Sequence, residues 1–280
     1  MGVHSGAVGM VNGMTTVRNW QASITAALSP YYASNTKGAG GHNSGNRDWS
    51  GSWDCYGHTP AYMPGDTVAF VGSESGTNGI TGNTIVDSVT INWDIAGAKE
   101  INHSVNFSGN GAATIGAAVA SIDTGTPDIF SCYNLEAVHL GDDSSTGGAF
   151  DALANVKTAS LTFTAANAST VNSSSGGWTL RSKGNFTATL SITVDIDDIA
   201  TLPAVNDVKA VRLYVDDTDY WEILWMRFGA LSNIVVDKET NAIVGATLNA
   251  SLVIICEDDG ATEGSITAPG AVAAWWPPAA

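Results

Sequence analysis

Residue types able to do chemistry are present in this chain, but their spacing argues against a catalytic centre. The five histidines, His4, His42, His58, His103 and His139, are scattered and form neither an HxH nor an HExxH pair, the spacings that put two imidazoles on one metal. His103 falls on the apolar side of an alternating segment, which points to a hydrogen-bonded core residue. Carboxylates cluster at Asp142-Asp143, at Asp195, Asp197 and Asp198, at Asp216, Asp217 and Asp219, and at Glu257-Asp258-Asp259. Such groups can hold calcium or run glycosidic acid–base chemistry. Each cluster lies where an apolar alternation ends, where Asp is a turn former, and none follows the twelve-residue calcium-loop pattern. No GxSxG nucleophile motif occurs, and the Gly38 to Gly41 stretch has no Lys-Ser/Thr behind it to cradle phosphate. The expectation is a protein that is not an enzyme, with no metal and no cofactor.

Composition narrows the partners. Apolar residues make up 44% of the 280, and nine are Trp, enough for a substantial core. Only 14% are charged and the net charge is −16, from 27 acids and 11 bases. Gripping phosphates takes Lys/Arg clusters, and no basic stripe exists here, so tight nucleic-acid binding is not expected. Cys55, Cys132 and Cys256 are far apart and odd in number, which fits buried free thiols better than a disulfide framework. The N-terminal residues lack the pattern of a signal peptide, and no apolar run approaches the roughly 18 residues of a membrane span. Synthesis in the cytoplasm and no membrane partner are expected. The six Asn-x-Ser/Thr sites, at Asn102, Asn106, Asn167, Asn172, Asn185 and Asn249, read as a by-product of Ser/Thr/Asn-rich strands.

The elements that position all this alternate with a period of two, the mark of half-buried strands. From Phe186 to Asp195, Phe, Ala, Leu, Ile and Val alternate with Thr, Thr, Ser, Thr and Asp. Val89, Ile91, Trp93 and Ile95 alternate with Thr90, Asn92 and Asp94. Ile101, His103, Val105 and Phe107 alternate with Asn102, Ser104 and Asn106. Leu161 and Phe163 alternate with Ser160, Thr162 and Thr164, and Leu248, Ala250 and Leu252 with Thr247, Asn249 and Ser251. Each strand has one apolar face and one small, polar, mostly uncharged face. Trp49 and Trp53 share a side with Gly51 and Cys55, which predicts core. Tyr220 to Trp225 is apolar on both sides, as in a central or covered strand. Helical signals are weak: short helices are expected over 127–140 and 114–120.

The two halves resemble each other. Val17–Ala27 lines up with Val156–Ala166, Asp48–Tyr56 with Asn185–Thr193, Thr67–Val71 loosely with Lys209–Leu213, and Asp94–Phe107 with Asp237–Ala250. A shared order at a nearly constant offset suggests duplication. The predicted organisation is a mainly β chain of two tandem β-sandwich or barrel repeats, 1–140 and 141–265, each with a short helix. The turn formers Gly141 to Gly148 mark the boundary. Residues 266–280, with Trp275-Trp276, are expected to form an extended C-terminal arm.

Two segments carry a family resemblance. Val17, Trp20, Ser23 and Ile24 fit a strand of type V/I-x-x-W-x-x-S-I, and Trp49-Ser50-Gly51-Ser52-Trp53-Asp54-Cys55-Tyr56 fits a following D/W-S-G-S-W/F-x-x-Y strand. The turn Pro64-Gly65-Asp66 and the strand from Val68 to Val71 also fit. The pattern resembles the tail tube (major tail) proteins of tailed bacteriophages. That resemblance implies two packed sheets with a short helix, sixfold rings, stacking of rings into a hollow virion tube, and a long loop bridging to the adjacent ring. The loop here is Leu28 to Asn46, and Tyr31, Tyr32, Lys37, His42 and Arg47 are its expected inter-ring contacts. A duplicated chain resembles members that make trimeric rings with pseudo-sixfold symmetry. The implied partners are further copies of the chain, other tail proteins (tape measure, terminator, baseplate or sheath), and genomic DNA that passes without specific binding. A conduit for DNA needs a wet, weakly repulsive wall. The candidate lumen residues are Ser50, Ser52, Asp54, Thr90, Asn92, Asp94, Asn102, Ser104, Asn106, Thr187, Thr189, Ser191, Thr193, Thr247, Asn249 and Ser251. Two alternatives stay open: another virion protein, such as a capsid decoration or tail-tip subunit, and a carbohydrate-binding β-sandwich using the Trp residues.

Overall fold

The computed structural model describes residues 2–6, 10–11, 16–31, 41–73, 79–116, 129–133, 135–141, 149–195, 202–229, 232–236, 243–252, 255–256, 262–263 and 266–268. In chain order the strands are β1 (Gly2–Gly6), β2 (Met10–Val11), β3 (Val17–Tyr31), β4 (Gly41–Tyr56), β5 (Thr67–Ser73), β6 (Gly79–Asp94), β7 (Asn102–Ile115), β8 (Val138–Gly141) and β9 (Phe150–Ala152). They continue with β10 (Val156–Thr170), β11 (Leu180–Val194), β12 (Val208–Tyr214), β13 (Tyr220–Phe228), β14 (Ser232–Val236), β15 (Ile243–Leu252), β16 (Ile255–Cys256), β17 (Thr262–Glu263) and β18 (Ile266–Thr267). The fold is mainly β, dominated by one large antiparallel sheet. Its path runs β1-β3-β4-β7-β6-β10-β11-β15-β13-β12-β8-β9, with β2 and β5 branching off β6 and with β14 on β15.

The alternation read from the sequence decides what each strand buries. β10, β11 and β7 bury every second residue: Leu161 and Phe163, Leu190 and Ile192, Val105 and Phe107 are all at most 2% exposed. The apolar faces of β3, β4 and β7 are covered by β5. Phe70 of β5 packs at ring-centroid distances of 6.1 Å from Trp20, 5.9 Å from Trp49, 5.9 Å from Trp53 and 4.6 Å from Phe107. The Trp20 indole N–H donates to the Ser73 carbonyl at 3.2 Å, so the ring is buried without an orphaned donor. Trp49 and Trp53 are therefore core, as their side of the strand predicts. Gly51, between them, is a steric necessity: a Cβ there would lie 2.2 Å from the Gln21 carbonyl oxygen and 2.5 Å from the Phe107 ring.

The second half repeats the pairing order. In the first half β3 pairs β4, β4 pairs β7, β7 pairs β6 and β6 pairs β5. In the second, β10 pairs β11, β11 pairs β15, β15 pairs β13 and β13 pairs β12. The registers agree as well. Trp20 faces Trp53 and Ala159 faces Ile192, each partner 139 positions on (159 − 20 and 192 − 53). Ser73 faces Gly79 and Tyr214 faces Tyr220, each 141 on (214 − 73 and 220 − 79). Both hairpins carry a bulge after their first paired residue, Val17 or Val156. β6 joins the halves: its Ser88–Asp94 stretch pairs with Thr158–Thr164 of β10. The buried side chains of both halves form one cluster.

Several expectations are corrected. No α-helix occurs among the described residues. Residues 138–140 of the expected helix over 127–140 are strand β8, because Val138 to Gly141 supply the edge partner of β12. Residues 114–115 of the other belong to β7, and 117–128 lie outside the described residues. A 3-10 turn, Ser173–Ser175, is capped by the Asn172 side chain. A boundary at 140 cuts through β8, whose partner strands β12 and β9 lie later in the chain. Residues 266–268 are not part of a free arm: β18 pairs Glu222 and Ile223 of β13, and Ile266 is fully buried. Residues 269–280, with Trp275 and Trp276, lie outside the described residues. The loop from Leu28 to Asn46 is shorter than expected, since β3 runs to Tyr31 and β4 starts at Gly41.

Candidate functional site

The sixteen polar positions singled out by alternation all lie on one face of the sheet, and none is buried. Antiparallel register turns them into rows that cross from the first half to the second. One row runs Asn19, Asp54, Ser104, Thr90, Thr162, Thr189 and Ser251. A second runs Gln21, Ser52, Asn106, Ser88, Thr164 and Thr187. A third runs Tyr56, Asn102, Asn92, Ser160, Ser191 and Asn249. A fourth runs Asp94, Thr158, Thr193, Thr247 and Ser232. Ser50 stands between Ser23 and Ser108.

Neighbouring side chains along these rows bond to one another. The Thr90 and Thr162 hydroxyls are 3.1 Å apart, and those of Thr164 and Thr187 are 2.6 Å apart. Ser160 donates to Oδ1 of the Asn92 side chain at 3.1 Å, and Nδ2 of Asn92 donates to Oδ1 of Asn102 at 3.4 Å. The Asn106 amide donates to Ser88 at 2.9 Å, Gln21 to Ser52 at 3.2 Å, and Asn249 to Ser232 at 3.2 Å. Cross-strand hydroxyl pairs of this kind stabilise a sheet modestly. They also hold short side chains flat against the sheet, leaving a smooth wet surface.

Within the four rows the charged side chains are Asp54 and Asp94, and the first row meets Arg227 where Ser251 pairs with β13. Cations stand at the rim. Lys99 pairs with Asp94 at 2.5 Å, and this bond, with one from the Gly97 N–H, lowers the Asp94 pKa. Lys157 pairs with Asp195 at 2.9 Å, and Arg18 lies over the Tyr56 ring at 4.9 Å. Among the described residues the face holds no cluster of Lys or Arg of the kind that grips phosphates.

The residues expected at an inter-ring contact divide. Tyr31 ends β3 and is 44% exposed, near the 63%-exposed Leu28. His42 lies in β4, Tyr32 and Lys37 lie outside the described residues, and Arg47 is engaged within the chain. Its backbone bonds to Gly177 and Thr179, and its guanidinium sits over the Trp178 ring at 5.6 Å. Asp48 beside it takes a two-pronged bond from Arg181, at 2.9 and 2.6 Å. The tip of the β10–β11 hairpin is thus fastened to β4.

The clusters Asp142-Asp143, Asp197-Asp198 and Glu257-Asp258-Asp259 lie outside the described residues, and several of the remaining candidates are engaged within the fold. His103 is buried with Nδ1 2.9 Å from the Gly57 carbonyl oxygen, and burial lowers its pKa. Asp216 accepts backbone N–H bonds from Thr218 and Asp219, an Asx turn that lowers its pKa. Burial pushes the Cys55 and Cys132 thiols up to about 11, so neither is a ready nucleophile. No group of three metal-binding side chains occurs among the described residues. Asn19, Gln21, Ser23, Ser88, Thr158, Thr162 and Thr164 share the polar face but were not among the sixteen. Alternation with Trp20, Ala22, Leu161 and Phe163 is the signal that marks them. No protein-family model matches the chain, and no curated protein matches it.

Proposed function

We propose that this chain is a structural subunit of a bacteriophage tail tube, stacking as rings around a lumen through which DNA passes. The observation that carries the reading is the polar face: seven strands from both halves present registered Ser, Thr and Asn rows with two carboxylates, and the one cation in register with them, Arg227, stands on β13 at the end of a row. A surface built to bind DNA carries the opposite composition.

The matching strand order supports reading the halves as two copies of one unit. β3-β4-β7-β6 and β10-β11-β15-β14 are equivalent sets of four, so three chains of eight strands would line a 24-stranded, pseudo-sixfold barrel. The partners are then further copies of the chain and the tail proteins at the tube's ends, with residence in the virion. Electron microscopy of the purified protein tests this. Rings of about three subunits, or stacked tubes, are expected; a monomer that binds glycans at its aromatic residues would sink the reading.

A further inference from the structure

The seam inside the chain is a template for the seam between chains. β6 is one continuous strand, bonded to β7 on one edge and to β10 along Ser88–Asp94 on the other. In the second half the same course is taken by β13 and then β14. Thr90 faces Ser104 across β6–β7, and Ser232 faces Thr247 across β14–β15, with β7 and β15 related by the 143-position shift that takes Ser104 to Thr247 and Asn106 to Asn249. The outer edge of β14 therefore corresponds to the edge of β6 that holds β10. Among the described residues β14 pairs only with β15.

The matching edge of β10 corresponds, 139 positions back, to residues 19–25 of β3. There β1 lies: Gly2 faces Ile24, Ser5 faces Gln21 and Gly6 faces Trp20. The second half has no counterpart, since β6 holds that edge of β10. We propose that β1 is a removable edge strip. In the free chain it covers the β3 edge; on assembly it yields that edge to β14 of a second copy, which repeats the β6–β10 ladder. This rests on the ring reading above.

The exchange is physically balanced. Backbone bonds from β1 to β3 are replaced by equivalent bonds from β14, so the β3 edge is paired in both states, while the outer edge of β14 gains a partner on assembly and the groups of β1 return to water. Covering an edge until a partner arrives also guards against indiscriminate pairing. The register names the contact. Thr90 faces Thr162 inside the chain, so Ser232 of one copy should face Ser23 of the next.

Two cysteine pairs test this. Ser5→Cys with Gln21→Cys places thiols on directly opposed residues of β1 and β3. Oxidised, this variant should remain monomeric in sizing and microscopy; reduced, it should assemble like the parent. If the oxidised form assembles as well as the reduced form, the edge-strip role of β1 is overturned while the ring stands. If neither form nor the parent assembles, the ring reading fails first. Ser23→Cys with Ser232→Cys should give disulfide-linked multimers from assembled protein only. Assembled rings that yield no such cross-link would overturn the β14-to-β3 seam.

Discussion

Thr90 and Thr162 face each other hydroxyl to hydroxyl at 3.1 Å, one from each half of the chain. The polar face is thus knit across the junction by side chains as well as by backbone. Replacing both by Val removes this bond and puts two apolar patches mid-face. The stability change should be small, within about 1 kcal/mol, since both partners leave together. Denaturant titration of single and double variants measures it, and a coupling near zero would mean the pair does not interact.

Adding cations to the same face should change what it does to DNA. Ser52→Lys and Thr189→Lys sit in two adjacent rows of the face. Each added cation should create a phosphate contact and steepen the salt dependence of retention. Assembled variant protein should hold double-stranded DNA at low salt and release it at high salt, while the parent holds none. If retention is the same for both, the face does not line the DNA path.

Arg181 is the fastening of the second hairpin. Its guanidinium grips both oxygens of Asp48 and also bonds the Gly109 carbonyl, and its side chain is only 12% exposed. Arg181→Met should cost about 1.5–3 kcal/mol, the range for hydrogen bonds to charged groups. Asp48, 39% exposed, keeps enough water to avoid the larger loss of a fully buried pair. Thermal unfolding would show it, and proteolysis near Trp178 should rise.

Gly51 should accept no side chain. Gly51→Ala would press its methyl against the Gln21 carbonyl and the Phe107 ring, at the upper end of the overpacking range, about 3 kcal/mol. Gly229→Ala, whose methyl would meet only the Asn249 oxygen at 3.4 Å, is the matched control and should fold normally. Equal expression and melting of both variants would contradict the packing described for β4.

His103 makes stability fall in mild acid. Burial lowers its pKa below the ordinary 6.5, partly opposed by its Gly57 bond and by the Asp54 charge. The unfolded chain then binds more protons between the two values, so stability is complete above pH 6.5 and declines as pH falls through that window. The slope is at most about 1.4 kcal/mol per pH unit. His103→Gln should flatten that slope between pH 7.5 and 5 in denaturant titrations.

The sequence carried the faces of strands better than their partners. Alternation placed Leu161, Phe163, Leu190 and Ile192 in the core and Thr162, Thr189 and Ser191 on the polar side, because period two is a local property. It marked Trp49 and Trp53 as core through Gly51. It overextended the loop after Leu28, where Ser, Pro and Gly look like turn residues but a long hairpin supplies backbone partners. Val138 to Leu140 read as helical because an isolated four-residue strand has no period; only β12 beside it makes it strand. Ile266 looked like the start of a tail, though it fills the place on β13 that corresponds to the end of β7 on β6. Rows across the sheet depend on register, which no single strand encodes.

β6 also bears on how the molecule takes force. The strand runs Gly79–Asp94 without a break and is held by β7, β5 and β10 together. A pull along the strands that tries to slide one half past the other loads the Ser88–Asp94 ladder in shear, with its bonds strained side by side. A pull at right angles would open them one after another, like a zipper. The joint within the chain should therefore resist tension along its strands far better than tension across them.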